Sequence, residues 1–401
     1  MSFLDVTDFR REFAFFSERP EWVYLDNAAT SHKPHAVINA MVDWYQRDNS
    51  NVHRSAHQLA ANATAALERA RQDILAFVNA NNHYQLIFTA GATSALNQLA
   101  FGLMHSVLQA GDLVVVSELE HHANIVPWQY HCAGVELAAV PLLASGELDM
   151  AAYQRLIARK PKVVSLTQLS NGTGVAPDLH TMLQMAKAVN AFTIVDGCQG
   201  IAAGLGDVSA LDCDFYVCSA HKLYGPTGVG ALIGKTAALE LLRPLLYGGE
   251  MIKSVSFART ELNRLPFRLE AGTPNIAGAI GFGAAVRFLQ QFDGLALRQH
   301  KMQLTQSFLS QLKELPDIRL LSPTNSLGIV TLDVATCYAS DIAELLNAQQ
   351  VAVRAGSHCA MPLFKALDSR GAVRFSFAPY NDLQEVDRAV EALKQALEMC
   401  R

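Results

Sequence analysis

Short apolar runs alternate with amphipathic helical patterns between about residues 85 and 235, and this alternation restricts the possible folds more than any other feature. The runs are YQLIFT, DLVVVSE, VELAAVPL, KVVSLTQLS, FTIVDG and FYVCSA. Helical stretches such as SALNQLAFGLMHSVLQA and LHTMLQMAKAVNA lie between them. Strands and helices that alternate in this way form a largely parallel sheet covered on both faces. We therefore predict an α/β fold with ligands beyond the carboxyl ends of its strands.

The pattern changes after about residue 285. Long helical runs, AAVRFLQQF and LRQHKMQLTQSFLSQLKEL, precede the short strands GIVTLDV and AVRFSFAP and a final helix, LQEVDRAVEALKQALEM. Mixed helices and short strands of this kind are typical of an α+β unit. We expect a second, smaller domain here, completed by the N-terminal segment.

Composition and charge exclude several classes of protein. The chain has 401 residues, half of them hydrophobic and 17% charged, which describes a compact protein with a large core. Its net charge of −5 argues against nucleic acid or an acidic membrane as the main partner. The first residues carry no signal-peptide pattern, and no apolar run reaches the roughly 18 residues that span a bilayer. We expect a cytoplasmic protein.

Seven cysteines are scattered along the chain without C-x-x-C spacing, at positions 132, 198, 213, 218, 337, 359 and 400. This spacing indicates neither a zinc site nor a disulfide framework. In a reducing compartment we expect all of them to be free thiols, most of them buried.

Unusual polar residues follow two of the predicted strands. In IFTAGATSALNQ, Thr93 follows Gly91 and Ala92 at the start of a helix, where backbone N–H groups suit either a phosphate or an ordinary N-cap. In SELEHHANIVPW, the pair His121 and His122 follows a strand. Imidazole stacks on rings and carries protons, so the pair indicates function more than structure.

The next two strand ends carry a carboxylate and an amine. Asp196 ends the apolar run FTIVDG, where it needs a cationic or hydrogen-bonding partner, unless it only caps the next helix. Lys222 follows FYVCSA beside Ser219 and His221, and a desolvated lysine is a competent nucleophile. Taken together, an amine, a phosphate cradle, a ring-facing histidine and a carboxylate are the parts of a pyridoxal 5′-phosphate (PLP) site.

One cysteine lies in a turn-rich segment, RAGSHCAMP at 354–362. Cys359 follows His358 and precedes Pro362, and the residue types alone leave core filler, metal ligand and nucleophile open. Because the cysteines lack paired spacing, the interpretation of Cys359 as a metal ligand is weak.

The longest motifs are YLDNAAT, NVHRSAH, EHHANIVPW, VDGCQG, SAHKLYGPTGVG, LEAGTPN, RAGSHCAMP and RFSFAPYN. Together they span nearly the whole chain and resemble the class-V aminotransferase group of fold-type I PLP enzymes, specifically the cysteine desulfurases of the SufS/CsdA subgroup. The resemblance implies a homodimer built on a mainly parallel seven-stranded sheet. It also implies a large PLP-binding domain at 22–288, and a small α+β domain formed by 1–21 and 289–401 that carries the cysteine loop.

The resemblance also implies roles for individual residues. Lys222 is the Schiff-base lysine, Asp196 holds the pyridinium nitrogen, and His121 stacks on the ring and moves protons. Other implied cofactor contacts are Gln199 at the ring hydroxyl, Thr93, Ala92, Ser219 and His221 at the phosphate, Asn171 beside the ring, and Thr273 from the second subunit. The implied substrate contacts are Arg374, which binds the carboxylate, together with Asn171, His53 and Arg54.

Two positions depart from the family pattern. The segment GATSALN has Ala92 where a hydroxyl residue is expected near the phosphate, and the cysteine loop has Ser357 where relatives often carry histidine. Neither change removes a catalytic residue.

In this interpretation Cys359 is the nucleophile that takes sulfur from L-cysteine as a persulfide and releases L-alanine, with His358 or Arg354 favouring the thiolate. A small SufE-like protein is the implied sulfur acceptor, and selenocysteine and cysteine sulfinate are further implied substrates. The alternatives are a PLP aminotransferase or another β-lyase of the same fold, and a non-catalytic scaffold.

Overall fold

The computed structural model describes residues 5–54, 56–315 and 317–400. The helices, numbered in chain order, are α1 Val6–Arg11, α2 Ala14–Glu18, α3 His35–Asp43, α4 Gln58–Phe77, α5 Ala92–Met104, α6 Val126–His131, α7 Met150–Ala158, α8 Leu179–Ala188, α9 Cys198–Ala202, α10 Val208–Leu211, α11 Thr236–Leu241, α12 Ile276–Leu289, α13 Gly294–Leu312, α14 Ala339–Ala348, α15 Met361–Ala366 and α16 Leu383–Met399. No helix in these ranges is long and apolar enough to cross a membrane.

The strands are β1 Val23–Tyr24, β2 Tyr84–Thr89, β3 Leu113–Ser117, β4 Glu136–Val140, β5 Val163–Thr167, β6 Phe192–Asp196, β7 Phe215–Ser219, β8 Gly230–Lys235, β9 Ile252–Val255, β10 Thr260–Leu262, β11 Ile318–Leu320, β12 Ile329–Val334, β13 Val351–Ala352, β14 Arg354–Gly356 and β15 Ala372–Ser376. Each of the six apolar runs predicted as a strand forms one.

Among the described residues, seven strands form the main sheet in the order β2-β8-β7-β6-β5-β3-β4. All neighbours are parallel except β8, which runs antiparallel to β2 and β7. Successive residues of the central strands point to opposite faces, so Val114 and Ile194 pack with α5 while Val115 and Val195 pack with α8. Because the strands are buried on both faces, they lack polar alternation. The predicted mainly parallel α/β fold is confirmed.

The C-terminal part builds a second sheet, β11-β12-β15-β14, with antiparallel pairing throughout. Helices α13, α14 and α16 cover it with an apolar cluster that includes Phe308, Leu346 and Leu393. Asp382 and Glu385 begin α16 with a capping box, which stabilises a helix by about 1 kcal/mol.

The N-terminal segment packs across both parts of the chain. The rings of Phe9 and Phe13 contact Tyr224 and Phe288 of the larger part, and Phe13 also contacts Tyr380. In addition, β1 pairs in parallel with β13. The segment therefore joins the two parts, and the exact boundaries at 21 and 288 stay a prediction.

The expectation that all the cysteines are free thiols is wrong for two of them. Cys337 and Cys400 form a disulfide with their Cα atoms 5.8 Å apart, joining the segment before α14 to the end of α16. The pair is 63 residues apart in sequence, and only the packing of α14 against α16 brings the two thiols together. The remaining cysteines are free, and all are buried except the half-buried Cys359.

Candidate active site

A cavity of about 210 Å³ lies at the carboxyl ends of β3, β5, β6 and β7, where it meets β14 and β15 of the second sheet. The predicted site residues that line it are Ala92, Thr93, His121, Asn171, Asp196, Gln199, Ser219, His221, Lys222 and Arg374. Parallel strands bring their ends to one edge of a sheet, so residues far apart in sequence meet there.

The carboxylate and the amine lie at neighbouring strand ends. Asp196 is the last residue of β6 and is only 5% exposed, and its Oδ1 accepts a hydrogen bond of 3.0 Å from the Cys198 N–H at the start of α9. The N-cap of α9 is Gly197 and not Asp196, and the Asp196 carboxylate lines the cavity. Lys222 ends the short 3₁₀ turn Ala220–Lys222 that follows β7.

His121 presents a neutral imidazole to the cavity. Its Nδ1 accepts a hydrogen bond of 3.0 Å from the Ala123 N–H, so the neutral ring carries its proton on Nε2. Burial and the nearby Lys222 lower the pKa of His121 to about 4, and the opposing effect of Asp196 is smaller. The ring can therefore stack on an aromatic group and donate through Nε2 at neutral pH.

The candidate phosphate site needs close approach between backbone segments. Gly91 has φ +144°, and a Cβ added at Gly230 would lie 2.6 Å from the Gly91 Cα. These two glycines let the turn before α5 contact β8. The Ala92 N–H donates to Ser219 Oγ at 2.8 Å, which ties the start of α5 to the end of β7. Hydroxyl and N–H groups at a helix N-terminus suit a phosphate.

The second sheet supplies the opposite wall. Arg374, on β15, is 1% exposed; Nη2 donates to Asp26 Oδ1 and Nη1 to the Asn171 carbonyl, both at 2.9 Å. Among the described residues, its buried Nε has no hydrogen-bond partner. A buried guanidinium N–H without a partner is costly, and an incoming carboxylate would satisfy it.

Cys359 lies beside residues that line this cavity. Arg354 lines the cavity, and its Nη2 is 3.4 Å from Cys359 Sγ. The guanidinium donates a hydrogen bond to the sulfur, so a cation lies directly beside the thiol. His358, in contrast, is 2% exposed, and burial together with Arg374 and Arg354 lowers its pKa to about 2. It is therefore neutral, and Arg354 is the cation that acts on the thiol.

The buried His358 predicts a specific loss of stability in acid. Its pKa is lower in the folded chain than the ordinary value of 6.5, so below that pH the unfolded chain binds more protons and stability falls as the pH falls. Between pH 6 and 4 the wild-type chain should lose about 2 to 3 kcal/mol more unfolding free energy than His358→Asn. Asparagine does not titrate and tolerates the positive φ of +49° at this position.

Urea unfolding at several pH values measures this difference. His180→Leu, at an exposed position on α8, serves as the control and should follow the pH dependence of the wild type except for a constant offset. Parallel curves for wild type and His358→Asn would contradict the assignment of a neutral, buried His358.

Several implied residues lie elsewhere in the described chain. His53 and Arg54 line a separate cavity with Glu250, which pairs with Arg54 at 3.0 Å. Thr273 is exposed and does not line the central cavity. The resemblance places His53 and Arg54 at the entrance of the active site and Thr273 in the active site of a second subunit. These roles stay predictions.

Sequence reasoning missed Glu120. Its side chain is 0% exposed and accepts hydrogen bonds from the Ser117 hydroxyl, the Asn124 amide at 2.7 Å and the Thr167 N–H at 3.0 Å. Burial raises its pKa to about 7, although these donors oppose the shift. The carboxylate thus ties the ends of β3 and β5 together at the residue immediately before His121. A glutamate immediately before two histidines at a strand end was the available signal.

Sequence reasoning also gave no role to Asp26. This residue belongs to the motif YLDNAAT and pairs with Arg374 across 348 positions of sequence. Its position in a long motif was a signal, but its partner was not visible before folding.

Comparison with known proteins agrees with this geometry. The model for the aminotransferase class-V family matches residues 23–389. A probable cysteine desulfurase of Vibrio cholerae is 43% identical over 379 residues, covering 94% of each chain, and one of Pseudomonas putida is 44% identical over 386 residues, covering 96% of each. The crystal structure of the cysteine desulfurase CsdA (S-sulfonic acid) from Escherichia coli superposes with a TM-score of 0.92 at 38% identity, covering 99% of this chain and all of that one. The chain therefore belongs to the aminotransferase class-V family, in the group whose members are named cysteine desulfurases.

Proposed function

We propose that this chain converts L-cysteine to L-alanine and carries the released sulfur as a persulfide on Cys359. One observation carries the proposal. Arg354 lines the same cavity as Lys222 and Asp196, and its guanidinium is 3.4 Å from the Cys359 sulfur. The Lys222 amine and the Cys359 thiol can thus serve one binding site, and a simple aminotransferase needs no such thiol.

The residues of the cavity fit PLP, on which enzymes of this family depend in general. Lys222 supplies the amine that would attach it, Asp196 the carboxylate for its ring nitrogen, and His121 a neutral ring to stack on it. Gln199 would bind the ring hydroxyl, with Asn171 beside the ring. The implied phosphate contacts are Thr93, the Ala92 N–H, Ser219 and His221. When bound, the cofactor acts as an electron sink that weakens the bonds around the substrate Cα.

The chain's own groups then perform the remaining steps. Arg374 orients the substrate carboxylate, the Lys222 amine takes the Cα proton, and His121 holds a proton on Nε2. The Cys359 thiolate, which lies beside Arg354, attacks the substrate sulfur. An S–S bond forms while the substrate Cβ–S bond breaks, and a proton replaces sulfur on the carbon that leaves as alanine.

Replacing Arg374 tests the carboxylate contact. Arg374→Lys should raise the KM for L-cysteine by about 10- to 100-fold, because a lysine cannot make the bidentate contact and leaves the Asn171 carbonyl or Asp26 unsatisfied. Steady-state alanine production measures the effect. Arg370→Lys, at an exposed position just before β15, is the matched control. An unchanged KM in Arg374→Lys would remove Arg374 from the substrate site.

The proposal includes an assembly and a sulfur acceptor. In a homodimer, Thr273 of one subunit would reach the phosphate site of the other, and His53 and Arg54 would line the entrance. The exposure of Thr273 in the single chain supports this arrangement. The persulfide would pass to a cysteine of a small SufE-like protein in the cytoplasm. Selenocysteine and cysteine sulfinate are proposed as further substrates, since their leaving groups depart without attack by Cys359.

The deciding experiment incubates the purified protein with L-cysteine and measures alanine, sulfide, pyruvate and the mass of the Cys359 peptide. We expect alanine together with one added sulfur atom on Cys359, and faster turnover when a SufE-like acceptor is added. Pyruvate without a persulfide would indicate a β-lyase instead. A protein that binds no cofactor and forms no product would indicate a scaffold.

A further inference from the structure

His122, the second histidine of the EHH motif, has no part in the chemistry proposed above. We propose that His122 is a positioning residue that holds the Cys359 loop in the conformation required for sulfur capture. The inference rests on the proposed function, because it assigns to that conformation the task of presenting the thiol to the substrate.

His122 contacts the loop on both sides of the cysteine. Its backbone N–H donates to the Cys359 carbonyl at 2.8 Å, and its Nε2 accepts from the Met361 N–H at 2.9 Å. The two contacts join the 3₁₀ turn that follows β3 to a loop more than 230 residues later in the chain. Cys359 is therefore fixed to the same strand end that carries His121.

The loop needs such support because its backbone is unfavourable. Both His358 and Cys359 have positive φ angles, +49° and +57°, which residues other than glycine rarely adopt. Conformations of this kind persist only when surrounding contacts stabilise them. The Asn171 amide donates to the His358 carbonyl at 2.6 Å and adds to the support from His122.

The side-chain contact requires a particular form of His122. Nε2 accepts a hydrogen bond from the Met361 N–H, so it carries no proton itself and the neutral ring is protonated on Nδ1. Burial lowers the pKa of His122, which is consistent with a neutral ring. A side chain of similar size without an acceptor at this point cannot replace it.

The contact also affects the environment of the thiol. Arg354 belongs to β14 and is fixed by its pairing with β15, whereas the cysteine loop is fixed through His122 to β3. The 3.4 Å separation of Arg354 Nη2 and Cys359 Sγ therefore depends on the loop conformation. Without the Nε2 contact, the thiol should spend less time beside Arg354 and the cavity.

Two substitutions test this inference in the holoenzyme. His122→Leu keeps the bulk and removes the acceptor, whereas His122→Gln places a carbonyl oxygen near the position of Nε2. We expect His122→Leu to slow single-turnover persulfide formation at saturating L-cysteine by about tenfold. The same variant should change the rate at which iodoacetamide alkylates Cys359 by about fivefold, in either direction. His122→Gln should restore most of both rates, and the cofactor absorbance should not change.

His180→Leu is the control, since His180 lies on the exposed side of α8 and contacts only Gln184 in the described hydrogen bonds. Persulfide formation in His122→Leu within twofold of wild type would overturn the inference. Equal losses in His122→Leu and His122→Gln would also overturn it, because the acceptor would then not be the cause. If wild type forms no persulfide, the proposed function fails, and the alkylation rates still decide whether His122 holds the loop.

Discussion

Cys359→Ser should lower alanine and sulfide production from L-cysteine by about 10³-fold or more, because the hydroxyl cannot take the substrate sulfur as a persulfide. Arg354 Nη2 lies 3.4 Å from the Cys359 sulfur, and a serine hydroxyl at the same place is a much weaker nucleophile than a thiolate. The substitution changes a single atom of a half-buried side chain in a loop. Folding and cofactor binding should therefore be retained.

Selenocysteine provides an internal control for this variant. Selenium leaves without attack by a protein thiol, so Cys359→Ser should keep selenocysteine turnover within about threefold of wild type. Cys132→Ser, at a free cysteine outside the cavity, is the matched thiol control and should retain turnover of both substrates. Equal losses on cysteine and selenocysteine in Cys359→Ser would contradict the role of Cys359 as the sulfur acceptor.

Lys222→Ala should abolish turnover of every amino-acid substrate, because the proposed cofactor attachment and the Cα proton transfer use the same amine. The purified variant should also lack the yellow absorbance of the lysine-bound cofactor. Lys222→Arg is a stricter test, since arginine keeps the positive charge but its guanidinium is neither nucleophilic nor basic at neutral pH. It should be as inactive as Lys222→Ala.

A second lysine close to Lys222 makes this experiment more specific. Lys33 donates hydrogen bonds to Thr30 Oγ1, the Ser31 carbonyl and the His221 carbonyl, and burial lowers its pKa to about 8. Because its N–H groups are used in these contacts, it is not available to bind a cofactor. Lys33→Met should keep the absorbance that Lys222→Ala loses. The opposite result would assign the attachment to Lys33.

Much of the site was predictable because its parts follow consecutive strand ends. Asp196 and Lys222 each come directly after an apolar run, and parallel strands place their carboxyl ends at one edge of the sheet. Local residue types were therefore enough to predict that these two side chains meet. Asp196 and Lys222 both line the cavity.

The sequence left open which residue supplies the cation beside the thiol. His358 is the sequence neighbour of Cys359 and Arg354 is five positions away, and the residue types alone do not distinguish between them. Folding buries His358 and lowers its pKa, whereas the pairing of β14 with β15 brings Arg354 to the cavity. Burial and strand register decide this choice, and neither is visible in the order of residues.

The amino-acid sequence by itself determined the strand and helix pattern, the parallel sheet and the chemistry available at its edge, because apolar periodicity and residue type are local properties. Tertiary structure alone decided that Glu120 joins the ends of β3 and β5, that Cys337 meets Cys400, that Arg374 pairs with Asp26, and that His122 holds the loop of Cys359. Each of these contacts joins groups whose geometry depends on how separate elements pack, and that packing exists only once the chain has folded.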